Sequence, residues 1–264
     1  MSTGIDDLTS GIGKAIKTVP DLYDDALKPT AQESGDVLAI VPRTIKAALA
    51  PLRQWIAQKE YNVAETEKLL AKKLENIDTE KIVTPESYVA VPAIQAISYS
   101  MDSEELRNLY ANLLAKSMNV DTKNFVHPSF VEIIKQLSPL DAKVLKAIME
   151  REVNPCINLR YENPQGTYNS IMTNVTDFHF ASQALISISI DNLQKQNLIH
   201  IPYDAHYSNE YLYDAIIQSD FYKEQEACHP ERPDGFKFTH EKKMISKTNL
   251  GQSFYEACIL DFKS

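Results

Sequence analysis

Apolar residues recur at helical spacing through most of the first half of the chain. Residues 22–27 read as a short helix after Pro20, and Pro29 opens a second segment to about Val41. From Pro42 a longer pattern runs through Ile45, Leu49, Leu52, Trp55 and Ile56, then on through Val63, Leu69, Leu70 and Leu74. Charges occupy its other faces, as in an amphipathic helix. Pro51 predicts a kink or a split, because it lacks the N–H that the helix ladder needs. Residues 77–85 form a connector. Residues 85–100 read as a helix with Val89, Ile94 and Ile97 inward and Pro92 disturbing its first turns. Asp102 or Ser103 then caps a helix to about Met118, whose Leu106, Leu109, Tyr110, Leu113 and Leu114 follow i, i+3, i+4 spacing. Residues 119–124 are a polar break.

Beyond the break the pattern changes. Pro128 and Pro139 stand where a first helical residue tolerates a missing N–H, Ser138 is a good N-cap, and Asp141 suits the first turn. The second of these helices extends to about Glu150. Residues 156–161 are a candidate strand, ended by the turn signal Asn163-Pro-Gln-Gly166. Residues 180–197 form a helix with Ala184, Leu185, Ile188 and Leu193 apolar and Asn197 as C-cap. A strand at 198–202 has 242–248 as its expected partner. A last helix, 249–261, carries Leu250, Phe254, Ala257, Cys258 and Phe262. The expected fold is mostly α: a helical N-terminal region, 1–124, then an α+β C-terminal domain, 125–264.

Two stretches carry a family likeness. Leu106-Arg-Asn-Leu-Tyr-Ala-Asn-Leu-Leu-Ala-Lys-Ser117 and Phe125-Val-His-Pro-Ser-Phe-Val-Glu-Ile-Ile-Lys-Gln-Leu-Ser-Pro-Leu-Asp-Ala-Lys-Val-Leu-Lys-Ala-Ile148 together closely resemble the bacterial abortive-infection alpha (Abi-alpha) family. The resemblance implies a link to phage defence and brings no established chemistry with it. Over about 128–262, the order helix, strand, helix, strand, long wing, strand, helix is similar to a winged-helix domain. So is the ending Ile245-Ser-Lys-Thr-Asn-Leu-Gly-Gln-Ser-Phe-Tyr-Glu-Ala-Cys258. The chain departs from that pattern twice. The short helix expected before the recognition helix is hard to find in 167–180. The wing, 204–241, is very long and holds its own helix around 209–226.

Composition bears on function mainly by exclusion. Only seven glycines in 264 residues argue against a barrel or sandwich rich in tight turns. Net charge is −9; residues 1–125 hold 14 basic and 18 acidic side chains, residues 126–264 hold 13 and 18. Neither half has the positive field of a nucleic-acid binder. The helix at 182–197 offers Gln183, Asn192, Gln194 and Gln196 for reading bases, but Lys195 is its one cation against Asp191. Three well-separated cysteines, Cys156, Cys228 and Cys258, suit a reducing cytoplasm better than a disulfide framework. The start has no basic segment followed by an apolar core, and no run of about 18 uninterrupted apolar residues predicts a membrane span.

No phosphate-loop, dinucleotide, metalloprotease or nucleophile-elbow motif is present, so no enzyme, cofactor or catalytic residue is expected. Cys228, His229 and His240, with Glu226, Glu231 and Asp234, lack the paired ligands of a structural zinc site. Two segments remain as candidate contact sites. Residues 37–59 carry four cations and no acid, with Arg43, Lys46, Arg53 and Lys59 around Trp55. That is the composition of an interfacial membrane helix, or of a core helix with snorkelling cations. In the wing, Tyr207, Tyr211, Tyr213 and Tyr222 suit a protein contact, or simple packing. The leading expectation is a cytoplasmic, non-enzymatic protein that binds a protein partner or itself. The alternatives are a membrane-perturbing effector acting through 37–59, peripheral to the inner membrane, and a DNA-binding regulator.

Overall fold

The computed structural model describes residues 37–50, 63–97, 100 and 103–262. The element expected at 22–27, the part of the Pro29–Val41 segment before Val37, and the break at Pro51 lie outside these. α1 (Val37–Leu49) is one helix through Pro42, where the sequence pattern had opened a new segment. The backbone bond lost at Pro42 is outweighed by burial of Ile45, Ala48 and Leu49 where α1 packs on α2 (Val63–Lys73).

α3 (Ser87–Ile97) buries Val89, Ala93, Ile94 and Ile97 with Pro92 inside it. α4 (Glu104–Ser117) is the hub. Ser103 Oγ caps it by accepting from Leu106 N at 3.3 Å, and every side chain from Leu109 to Ala115 is buried. It can be buried on so many sides because α2, α3, α5 (Ser129–Lys135), α6 (Pro139–Glu150) and the chain's last turn all pack against it.

Pro128 caps α5 rather than forming its first turn. His127 Nδ1 accepts from Ser129 N at 3.2 Å, taking up an amide that the helix leaves free. α6 has the bounds its sequence implies. Ser138 Oγ accepts from Asp141 N at 3.1 Å and Asp141 Oδ2 from Ser138 N at 2.7 Å, which is a reciprocal capping box.

The main sheet differs from the sequence pattern. β1 (Pro155–Glu162), β2 (Tyr168–Val175) and β4 (Lys237–Met244) form one antiparallel sheet in the order β2-β1-β4. The hairpin turn carries Gly166 at φ 80°, a conformation that favours glycine. A strand therefore occupies the stretch searched for a short helix. Residues 242–244 pair with β1, not with 198–202. Of the expected pairing only β3 (Ile199–His200) and β5 (Ser246–Lys247) form, Ile199 opposite Lys247 and His200 opposite Ser246.

Between β3 and β4 the insertion contains a 3-10 turn (Glu210–Tyr213), α8 (Asp214–Ile217) and α9 (Asp220–Cys228), where one helix was expected. α7 (Gln183–Lys195) precedes β3. α10 (Asn249–Phe254) ends the fold, and it loosens into a π turn, Tyr255–Ile259, so Phe262 lies beyond the helix that was expected to contain it.

A single apolar cluster extends from Ile45 through α4 and α6 to Cys258, so packing is continuous across residue 124. Alternation along β1 sends Cys156 into that cluster, while Ile157 and Leu159 point the other way. These join Val175, Tyr213, Ile216 and Tyr222 in a smaller core beneath the insertion. Among the described residues no helix is long and apolar enough to cross a membrane.

Candidate protein-contact face

α7 sits between α6 and β2. Its C-terminus closes as a Schellman turn: Asn197 takes φ 58°, its N–H donates to Gln194 O at 2.9 Å, and Leu198 N donates to Leu193 O at 3.0 Å. Ile186, Ile190 and Leu193 face the core. Gln183, Ser187 and Ser189 are buried beside them. Leu185 and Ile188, by contrast, are 52% and 63% exposed, and Phe180 just before the helix is 48% exposed. Ala184 lies open next to them.

The polar side chains that could read bases are engaged inside the fold. Gln183 Oε1 accepts from Thr176 N at 3.0 Å and its Nε2 donates to Phe178 O at 2.8 Å, fastening the β2–α7 loop. Asn192 Nδ2 donates to Gln136 O at 2.9 Å and to Asp141 Oδ2 at 3.0 Å, tying α7 to the α5–α6 junction. Gln196 Nε2 donates to Gln136 Oε1 at 2.9 Å. Asp191 accepts from Asn174 Nδ2 at 2.7 Å, and burial raises its pKa against that bond. Gln194 is the member of the set that stays exposed.

Beside Phe180, His179 and Gln183 form one wall of a cleft of about 500 Å3 whose far wall is Asp214, Gln218, Asp220 and Phe221. Two carboxylates and no lysine or arginine line it. It is a poor seat for a phosphate backbone.

The contact candidates read from sequence divide. On α1, Arg43 and Lys46 are exposed while Ile45, Ala48 and Leu49 are buried. Arg53, Trp55 and Lys59 lie outside the described residues. In the insertion, Tyr211 is 82% exposed, but Tyr213 and Tyr222 are buried and cannot meet a partner. Tyr213 OH donates to Lys243 O at 3.0 Å and accepts from Tyr207 N at 2.9 Å. Half-buried Tyr207 accepts from Asn154 N at 3.0 Å. Tyr222 OH is hydrogen-bonded to His240 Nδ1 at 2.8 Å. Burial raises the pKa of both Tyr213 and Tyr222, so they stay neutral. Three of the four tyrosines thus hold the insertion together.

The two histidines of this region are also engaged: His229 Nδ1 bonds Gln225 O at 2.7 Å and His240 bonds Tyr222. Among the described residues no group of three His, Cys, Asp or Glu side chains is placed to hold a metal ion.

A family model described as abortive infection alpha matches residues 58–258. The chain belongs to that family. No curated protein and no solved structure matches it. The match spans α2 to the π turn, so the abortive infection alpha unit includes the α4 hub, the exposed face of α7 and the insertion.

The α7 face is the part of this site that sequence reasoning missed. Leu185 and Ile188 were read among the apolar residues of the helix with no side assigned. A signal was present. Ile188 is two positions from Ile186 and from Ile190, roughly 200° around the helix, so it cannot share their face.

Proposed function

We propose that this abortive infection alpha protein is a non-enzymatic, cytoplasmic component of phage defence that acts by binding another protein through the α7 face. The observation that carries the reading is the inverted patterning of α7. It exposes Leu185 and Ile188 while burying Gln183, Ser187 and Ser189. Covering Leu185, Ile188 and Phe180, each about half exposed, is worth about 3 kcal/mol in total. Such a patch suits a protein contact better than a nucleic acid.

The wider architecture fits a winged-helix unit used for packing and contact. α6, α7, the β3–β5 pair and α10 supply its expected parts, with α7 in the recognition-helix position. The β1–β2 hairpin and the insertion with β4 are additions to it. DNA binding is disfavoured by the engaged Gln183, Asn192 and Gln196 and by the uncompensated carboxylates of the neighbouring cleft. A membrane role for 37–59 draws no support from the later turns of α1, where Ile45, Ala48 and Leu49 are packed and Arg43 and Lys46 are exposed.

The test is survival of phage-challenged cells carrying Leu185→Asp/Ile188→Asp. Both positions are exposed, so the purified variant keeps its circular dichroism spectrum and melting temperature. The expected result is loss of protection at equal protein level. Full protection by a folded double variant would overturn the reading.

A further inference from the structure

On α4, two polar side chains hold the π turn and the residue that follows it. Asn112 and Lys116 stand one turn apart. Asn112 Nδ2 donates to the carbonyls of Cys258 and Ile259 at 3.0 and 3.3 Å, and Lys116 Nζ donates to Leu260 O at 2.8 Å and to Glu256 O. These are carbonyls that a helix C-terminus leaves free, so α4 caps the π turn from the side. Just past it, Asp261 reaches Lys73 of α2. Between this strap and the helices lies a cleft of about 200 Å3, lined by Lys73, Lys143 and Lys146 with Asn108 and Asn112 among them. Glu105 and Asp261 also line it, leaving three cations against two anions.

We infer that this cleft binds a small phosphomonoester, and that the Asp261 carboxylate is its internal stand-in. The pair between Lys73 and Asp261 is lopsided: the lysine side chain is 13% exposed, the aspartate 71%. The cation is fixed in the wall, and the anion is the replaceable partner. Burial works against the charge on Asp261, yet the hydrogen bond and charge of Lys73, with Asn112 and Lys116 behind it, hold its pKa below the usual carboxylate range. Negative charge is therefore favoured at that point.

The other two lysines are half exposed, Lys143 against Glu105 at 2.8 Å and Lys146 at 3.8 Å from Glu150. Exposed pairs of this kind are weak. A doubly charged phosphate that bridges two or three ammonium groups replaces them with charge-assisted hydrogen bonds. At about 200 Å3 the cleft is smaller than the roughly 300–1,000 Å3 of drug-sized sites, so its occupant is a phosphate with a few attached carbons.

Isothermal titration calorimetry on the full chain tests this, with glycerol 3-phosphate and inorganic phosphate as separate probes at constant ionic strength in chloride. Saturable binding of glycerol 3-phosphate is expected at about 1 mM or tighter. Lys143→Gln/Lys146→Gln weakens it by about a hundredfold, the loss of two charge-assisted hydrogen bonds, and Asp261→Asn tightens it severalfold by removing the competing carboxylate. Should the double variant melt early, Lys146→Gln alone, at the loosest pair, gives the same direction. No saturable heat, or equal binding by all variants, overturns the site. Binding of inorganic phosphate with glycerol 3-phosphate excluded overturns the assignment to a monoester.

Discussion

Gly251 sits in the first turn of α10, where an alanine would meet the chain at its closest approach. A Cβ built there stands 1.9 Å from Leu198 O, 2.8 Å from Leu198 C and 2.8 Å from Met149 Cε. The methionine tip can swing away, but the peptide of Leu198 cannot. Its carbonyl already accepts from Thr248 Oγ1 at 3.0 Å, and the same Thr248 Oγ1 caps α10 by accepting from Gly251 N at 2.8 Å. Relieving the clash means shifting β3 or α10 by more than about 1 Å, which breaks the cap and loosens the two-residue β3–β5 pair.

Helix propensity favours alanine over glycine by about 1 kcal/mol. Overpacking costs about 1–3 kcal/mol, and the cap and one further bond about 1 kcal/mol each. The net expectation for Gly251→Ala is a loss of about 2–4 kcal/mol. Urea unfolding followed by circular dichroism reads this as a lower midpoint at unchanged slope. Propensity alone predicts the opposite sign. A neutral or stabilised Gly251→Ala protein would therefore refute the close approach of α10 to β3.

Leu49→Asp places a charge among Ile45, Ala48 and α2, and is expected to destabilise the fold by 3 kcal/mol or more in that assay, about the penalty of an unpaired buried charge. Lys46→Glu on the open side changes stability by well under about 1 kcal/mol. Burial first, and then the Arg160 charge, lower the pKa of His240, so folding favours its neutral form. Its contribution is present above the unfolded value of about 6.5 and is lost as pH falls through the folded value, and a pH series of urea midpoints shows a smaller acid-side decline for His240→Gln than for the parent. Burial pushes the Cys156 thiol up to about 12 and raises that of Cys258, whereas Cys228 is exposed. Iodoacetamide therefore modifies Cys228 alone in the folded protein, and labelling of Cys156 or Cys258 before unfolding would contradict the packing.

Helix positions were legible where local chemistry decides them. Ser138 and Asp141 bond each other across three residues, and Ser103 caps α4 three residues from Leu106, so the patterns that mark these starts lie within one turn. β2 was missed because half of it is exposed. Tyr168, Asn169 and Ser170 face water, so no alternation of apolar residues marks it. The pairing of β1 with β4 joins Pro155 to Met244 and Glu162 to Lys237 across the whole insertion, and nothing local encodes that register. The role of Asn112 was hidden for the same reason, since its partners Cys258 and Ile259 lie 146 and 147 positions away. Tyr213 and Tyr222 illustrate a different limit. Composition marks a tyrosine-rich segment without saying which rings turn inward.

The conflict on α7 differs in kind from these long-range effects, because it persists with the fold in view. Burying Gln183, Ser187 and Ser189 costs desolvation, offset at Gln183 by its bonds to Thr176 N and Phe178 O, while leaving Leu185 and Ile188 half exposed forgoes about 1 kcal/mol each. Exchanging the two sets would favour an isolated chain. On two other helices local pattern and tertiary burial agree: α1 turns Ile45 and Leu49 inward and Lys46 outward, and α6 buries Val144, Leu145 and Ile148. Such agreement is what folding alone requires, and departures from it concentrate where a surface serves something besides stability. The departure on α7 is flanked by the exposed ring of Phe180. The exposure of Leu185 and Ile188 is the physical ground for the contact proposed at this face, and the stability of the lone chain gives no reason for it.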